Sequence, residues 1–158
     1  MWNKIKPYVI FIGISLGIGG LSAVLTKNNM NIYQTIKMPP LSPPPAVFPI
    51  VWGILYILMG IGAAIVFKHK NEKNTFVYRA VFIFGLQLAV NFFWSIIFFN
   101  MQAYLFAFIW LILLWILIIW MIVNFRKVSA LAAYLQLPYL AWVTFAGYLT
   151  FMVYLLNR

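Results

Sequence analysis

Five unbroken apolar stretches, each close to the length that crosses a bilayer, leave this chain of 158 residues almost no choice of fold. A helix covers about 30 Å of hydrocarbon in about 20 residues. The stretches run from about 8–25, 46–67, 77–99, 103–125 and 130–156, with short connections between most of them. Charged residues are 8% of the chain and hydrophobic residues 66%, whereas a water-soluble domain carries roughly 25% charge. Membrane-spanning strands would alternate apolar and polar residues, and the run 109–119 shows no alternation. The chain therefore reads as one all-α membrane domain, residues 1–158, a bundle of five transmembrane helices with a loop at about 26–45. The fifth stretch is long enough to tilt or to pass the bilayer surface. The first stretch follows Lys4 and Lys6 but reads as a retained helix, because its apolar run is long for a signal segment and no small-x-small cleavage site follows.

Five spans put the termini on opposite sides. Lys4, Lys6, Lys68, Lys70, Lys73, Arg79, Arg126 and Lys127 then share one side, and Lys27, Lys37 and Arg158 the other. Lys and Arg of short loops stay on the cytoplasmic side, so the N-terminus is expected in the cytoplasm and the 26–45 loop outside, in the plasma membrane of a bacterium. The formal charge of +10 is on this reading a product of topology. No basic stripe interleaves with stacking residues, so the expected surroundings are membrane lipid and not nucleic acid.

The residues that are missing restrict the chemistry. There is no cysteine, the only acid is Glu72 and the only histidine is His69. Paired-carboxylate hydrolysis, a Ser-His-Asp triad and a carboxylate-rich metal site all lack their parts, and no metal site is expected. No ionisable group lies inside the helices to carry ions, and no phosphate-binding glycine loop is present.

Within the spans, Gln87, Asn91 and Trp94 recur at helical spacing on one face, with Ser95 beside them. Such polar groups serve either as interhelical glue or as directed contacts for a ligand. A second stripe, Pro138, Trp142, Phe145 and Leu149, follows one face of the last span, and Pro138 is expected to bend that helix by deleting the bond to the Tyr134 carbonyl. Trp52 and Tyr56 lie one turn apart in the second span. Three aromatic faces on three helices predict one cavity suited to a flat apolar ligand, covered by the stiff loop that contains Pro43 and Pro44. Trp2, Trp110, Trp115 and Trp120 read as bundle filling or interfacial anchors. Gly13 and Gly17 form a GxxxG that serves either a dimer face or packing within the bundle.

Tyr33, the loop Pro39 to Pro44 leading into Phe48, Val51-Trp52, Leu55-Tyr56, Asn91 with Trp94 and Phe98-Phe99, Leu137-Pro138-Tyr139, Trp142, Phe145-Ala146 and Asn157 stand in order across the five spans. In them the chain resembles the TspO/MBR family, the tryptophan-rich sensory or translocator proteins, also known as peripheral benzodiazepine receptors. The resemblance implies a five-helix bundle, a homodimer and a pocket under the first loop. The implied ligands are porphyrins, haem-related tetrapyrroles, sterols and benzodiazepine-type drugs, with no cofactor required. It assigns ligand contacts to Tyr33, Trp52, Asn91, Trp94, Trp142 and Phe145, to which the residue spacing adds Tyr56 and Pro138 and the proline-rich loop adds Pro43 and Pro44. The chain departs from the family at Leu41, where an aromatic residue is frequent, at Trp110, aligned with an acid, and at Thr150, aligned with an asparagine. Leu149, Tyr154 and Arg158 fit a loose sterol-type pattern but read as interface anchors. Two functions follow as expectations. One is binding of tetrapyrroles or similar lipophiles for sensing, stress response or transport. The other, proposed for bacterial relatives, is light- and oxygen-dependent porphyrin degradation with Trp52 and Trp142 as electron donors.

Overall fold

The computed structural model describes residues 1–72 and 74–158; Lys73, counted above among the cations of one end, lies outside the described residues. Helix α1 (Trp2–Thr26) runs into a tight 3-10 segment (Lys27–Gln34) and an irregular lid, followed by α2 (Val47–Phe67). Helix α3 (Asn74–Ser95) widens into a π turn (Ile96–Asn100) before α4 (Tyr104–Arg126). A short α5 (Ala130–Tyr134) and the long α6 (Leu137–Asn157) complete the chain. Among the described residues, five helical segments are long and apolar enough to cross a membrane. Because lipid offers backbone groups no hydrogen bonds, such segments satisfy them internally as helices. The protein is an integral membrane protein.

Two boundaries differ from the hydropathy reading for physical reasons. Helix α1 begins at Trp2 and not near residue 8; its first turns carry Lys4 and Lys6, which hold helix well but lie beyond the apolar run. The last span is interrupted at Leu135 and Gln136, so Pro138 opens α6 and does not bend a continuous helix. At the second helical position its missing N–H deprives no carbonyl of a partner. Gln136 secures the break, its Nε2 donating to the Leu58 carbonyl at 3.2 Å and the Ala132 carbonyl at 3.3 Å. Ser129 starts α5 by accepting from the Ala132 N–H at 3.4 Å.

Helices α1 and α2 make the closest approach. A Cβ at Gly60 would stand 2.5 Å from Ile12 Cα, and one at Gly19 would enter the ring of Tyr56. Gly13 and Gly17 take no part in this contact, since nothing lies within 4 Å of a Cβ built at either, and both face outward. Buried Ile83, Leu114, Ile118, Met121 and Phe125 fill the centre. Trp110 joins α4 to α3 through its indole N–H to the Val90 carbonyl at 2.7 Å, and Trp115 joins α4 to α6 through Thr144 Oγ1 at 2.9 Å.

The first half of the lid is tied to α6 at two points. Asn157, near the end of α6, accepts from the Lys37 N–H at 2.8 Å and donates to the Lys37 carbonyl at 3.0 Å. Tyr148 donates to the Pro40 carbonyl at 2.9 Å. Asn100 holds the 3-10 segment from below, accepting from Asn29 at 2.7 Å and donating to the Leu25 carbonyl at 3.1 Å. At the lid's tip Leu41 is 81% exposed and adopts a left-handed φ of 71°, a conformation that costs a non-glycine residue about 1–2 kcal/mol.

Candidate functional site

Beneath the lid lies a cavity of about 260 Å³ bounded by α1, α2, α3 and the 3-10 segment. Helix α1 contributes Ser22 and Thr26, whose side chains are small enough to leave space; the Thr26 hydroxyl turns back to the Ser22 carbonyl at 2.8 Å. Helix α2 contributes Phe48, Trp52 and Tyr56, which fall on one face because they are four residues apart. Asn91, Trp94 and Ser95 come from α3, and Phe99 from the π turn that follows. Met30, Tyr33, Pro45 and Pro49 close the lid end.

Aromatic rings determine the shape of the walls. Tyr33 stacks on Phe48 with centroids 5.4 Å apart and planes 10° from parallel, and meets Phe99 edge-on at 5.6 Å. Trp94 stacks on Phe98 at 5.2 Å, while Trp52 lies 5.6 Å from Tyr56 and 6.2 Å from Tyr139. Offset and edge-on contacts of this kind add about 0.5–1.5 kcal/mol each to simple burial, so the walls are stiff as well as apolar.

A chain of hydrogen bonds forms the polar floor. Tyr56 donates to Asn91 Oδ1 at 3.3 Å, Asn91 Nδ2 donates to the Tyr139 hydroxyl at 2.8 Å, and Tyr139 donates to Gln87 Oε1 at 2.6 Å. One chain of phenols and carboxamides thus joins α2, α3 and α6. The indole N–H of Trp94 is buried and has no hydrogen-bond partner among the described residues, and the same holds for that of Trp142, which lies outside the cavity. An unsatisfied buried donor costs about 1–3 kcal/mol, which a ligand carrying an acceptor would recover.

The residues singled out in the sequence separate into three groups. Tyr33, Trp52, Tyr56, Asn91 and Trp94 line the cavity. Pro43 and Pro44 belong to the lid without lining it, and the lining prolines are Pro45 and Pro49; the Pro44 carbonyl accepts from the Val47 N–H at 3.0 Å where α2 begins. Pro138, Trp142 and Phe145 line a separate outer groove of about 420 Å³ between α2 and α6. Phe48 lines the cavity and also a void of about 30 Å³ that touches Tyr33, Trp94 and Thr150, and the Trp142 ring meets Phe48 edge-on with centroids 5.8 Å apart. The sequence pattern alone does not single out Tyr139, which stands in it only as the neighbour of Pro138, or the small residues of α1. A tyrosine within an apolar span was the available signal for the first; the second left none.

A helical membrane bundle with a tied lid over an aromatic cavity is the class that this fold and site define. The chain belongs to the TspO/MBR family, whose sequence profile matches residues 11–155. It is 38% identical over 161 aligned positions to the tryptophan-rich protein TspO of Chlorobaculum tepidum, covering 99% of each chain. It is 38% identical over 125 positions to protein CrtK of Rhodobacter capsulatus, covering 79% of this chain and 78% of that one. To the human translocator protein it is 36% identical over 155 positions, covering 94% and 90%.

Proposed function

We propose that the protein binds porphyrins and related tetrapyrroles, and lipophiles of similar shape such as sterols and benzodiazepine-type drugs, in the cavity under the lid, as part of sensing, stress response or transport. The observation that carries this reading is the combination of flat aromatic walls with two polar groups among them, the Asn91 amide and the Trp94 indole, whose buried N–H has no partner among the described residues. Flat walls suit a planar ring system, and the donor suits a carbonyl or carboxylate on its edge. Small-molecule pockets measure about 300–1,000 Å³, and the cavity of about 260 Å³ falls short of that range. A macrocycle therefore requires Phe48 to swing aside, which opens the cavity toward the void and the outer groove where Trp142 and Phe145 wait. The protein acts as a homodimer in a bacterial plasma membrane, with its N-terminus in the cytoplasm; the outward Gly13 and Gly17 on α1 leave room for a second copy.

A second reading, oxidative degradation of the bound porphyrin in light and oxygen, draws support from the ring contacts of Trp52 with Tyr56 and Tyr139, which offer a path for an electron from the phenols to an indole at the cavity wall. Protoporphyrin added to the purified protein in the dark and then illuminated separates the two. On the binding reading the absorption spectrum shifts saturably and then stays constant in light, and Trp52→Phe alters affinity modestly. Bleaching that needs light, oxygen and both Trp52 and Trp142 would replace binding with catalysis as the function.

A further inference from the structure

We propose that the lysine-rich end of the bundle carries a binding site for the headgroup of an anionic phospholipid, separate from the cavity under the lid. The site is a notch of about 460 Å³ between the start of α1 and the end of α2. Lys6 and Asn3 stand on one rim and Lys70 on the other, and Pro7, Ile10 and Phe67 form the sides. The floor is Phe11, which packs on Phe67 at 5.4 Å and on Phe84 at 5.7 Å.

Both halves of this notch have a use only for an amphiphile. The ammonium groups suit a phosphate. The apolar sides continue along α1 onto Ile10 and Ile14, each 45% exposed on the surface that faces lipid, where an acyl chain would lie. A free inorganic anion leaves the apolar part unused, and a neutral lipid leaves the charge unanswered.

Charge balance is the stronger argument. Lys4 and Lys68 flank Lys6 and Lys70, and the whole chain has one acidic residue, Glu72, so one side-chain carboxylate at most is available to balance the four of them. Aromatic faces hold two of them in place: Lys70 Nζ lies 4.6 Å from the Phe67 ring centroid and Lys68 Nζ 5.3 Å from that of Tyr8. Cation–π contact positions a charge without cancelling it. The start of α1 adds the positive end of a 25-residue helix with no acid in its first turn. Like charges gathered at the edge of a low-dielectric layer repel strongly, and a phosphodiester supplied by the bilayer relieves that repulsion. Basic pockets between transmembrane helices are a recurring way of holding such headgroups.

Native mass spectrometry of the full-length protein in detergent, titrated with phosphatidylglycerol and separately with phosphatidylcholine, tests the site. Wild-type protein should retain phosphatidylglycerol in preference to phosphatidylcholine. The double variant K6Q/K70Q should bind it roughly thirtyfold more weakly, and K6R/K70R should keep it. The variant K4Q/R79Q, which removes the same charge from the same end but outside the notch, should bind as wild type does. Equal loss in K4Q/R79Q, or no loss in K6Q/K70Q, would overturn the proposal in favour of diffuse attraction. Displacement of the lipid by equimolar inorganic phosphate would overturn it in favour of a free-anion site.

Discussion

Tyr139 is the residue on which the polar floor depends. It is 1% exposed, and its single hydroxyl both accepts from Asn91 and donates to Gln87. Tyr139→Phe keeps the ring and leaves two buried carboxamides each short of a partner. Such groups cost about 1–3 kcal/mol apiece, less in membranes where alternative partners are found. The variant should lose about 1–3 kcal/mol of stability, seen as a lower midpoint in detergent unfolding, while helical content stays unchanged. Gln87 and Asn91 were legible in the sequence, since a carboxamide stands out in an apolar span. Their common partner was less so, because the face of α6 picked out by spacing was that of Pro138, Trp142 and Phe145. In a membrane helix the lipid side and the core side are equally apolar, so periodicity loses the contrast that separates inside from outside in a soluble helix. The adjacent Tyr139 turns into the core while that stripe faces the outer groove.

Among the elements, the lid covers the cavity, and its anchors come from far along the chain. The reciprocal pair between the Asn157 side chain and the Lys37 backbone joins residues 120 positions apart, and no local pattern announces it. Asn157→Ala removes both bonds to the lid. Amide exchange at Lys37 should become about five to ten times faster, as expected for losing about 1 kcal/mol of local protection, with α3 and α4 unaffected. Unchanged exchange at Lys37 would show that Tyr148 and the proline-rich backbone hold the lid without Asn157. The rigidity of the lid itself was legible in its prolines, whose fixed φ leaves the open loop little entropy to lose. The π turn at Ile96–Asn100, which places Phe99 against Tyr33, had no such sign: its residues read as a plain continuation of the third apolar run.

For the whole molecule, the five spans were legible because crossing a bilayer demands a length of apolar sequence that little else produces. The start of α1 and the break before α6 were not, because hydropathy reports where a chain meets lipid and not where its helices begin or pause. The proposed orientation rests on the distribution of cations, and the absence of cysteine makes it directly measurable. With single-cysteine variants and an impermeant maleimide, Leu41→Cys in the lid should be labelled on intact cells and Asn71→Cys at the lysine-rich end only after lysis; the opposite pattern would invert the topology. The central claim is that the cavity under the lid holds the ligand, and the most direct test is the affinity for protoporphyrin of Trp94→Phe set against Trp115→Phe. Trp94 lines the cavity and its indole N–H has no partner among the described residues, whereas Trp115 spends its own on Thr144 between α4 and α6. The account predicts affinity about five to ten times weaker for Trp94→Phe and unchanged for Trp115→Phe. Equal effects from both, or none from Trp94→Phe, would contradict it.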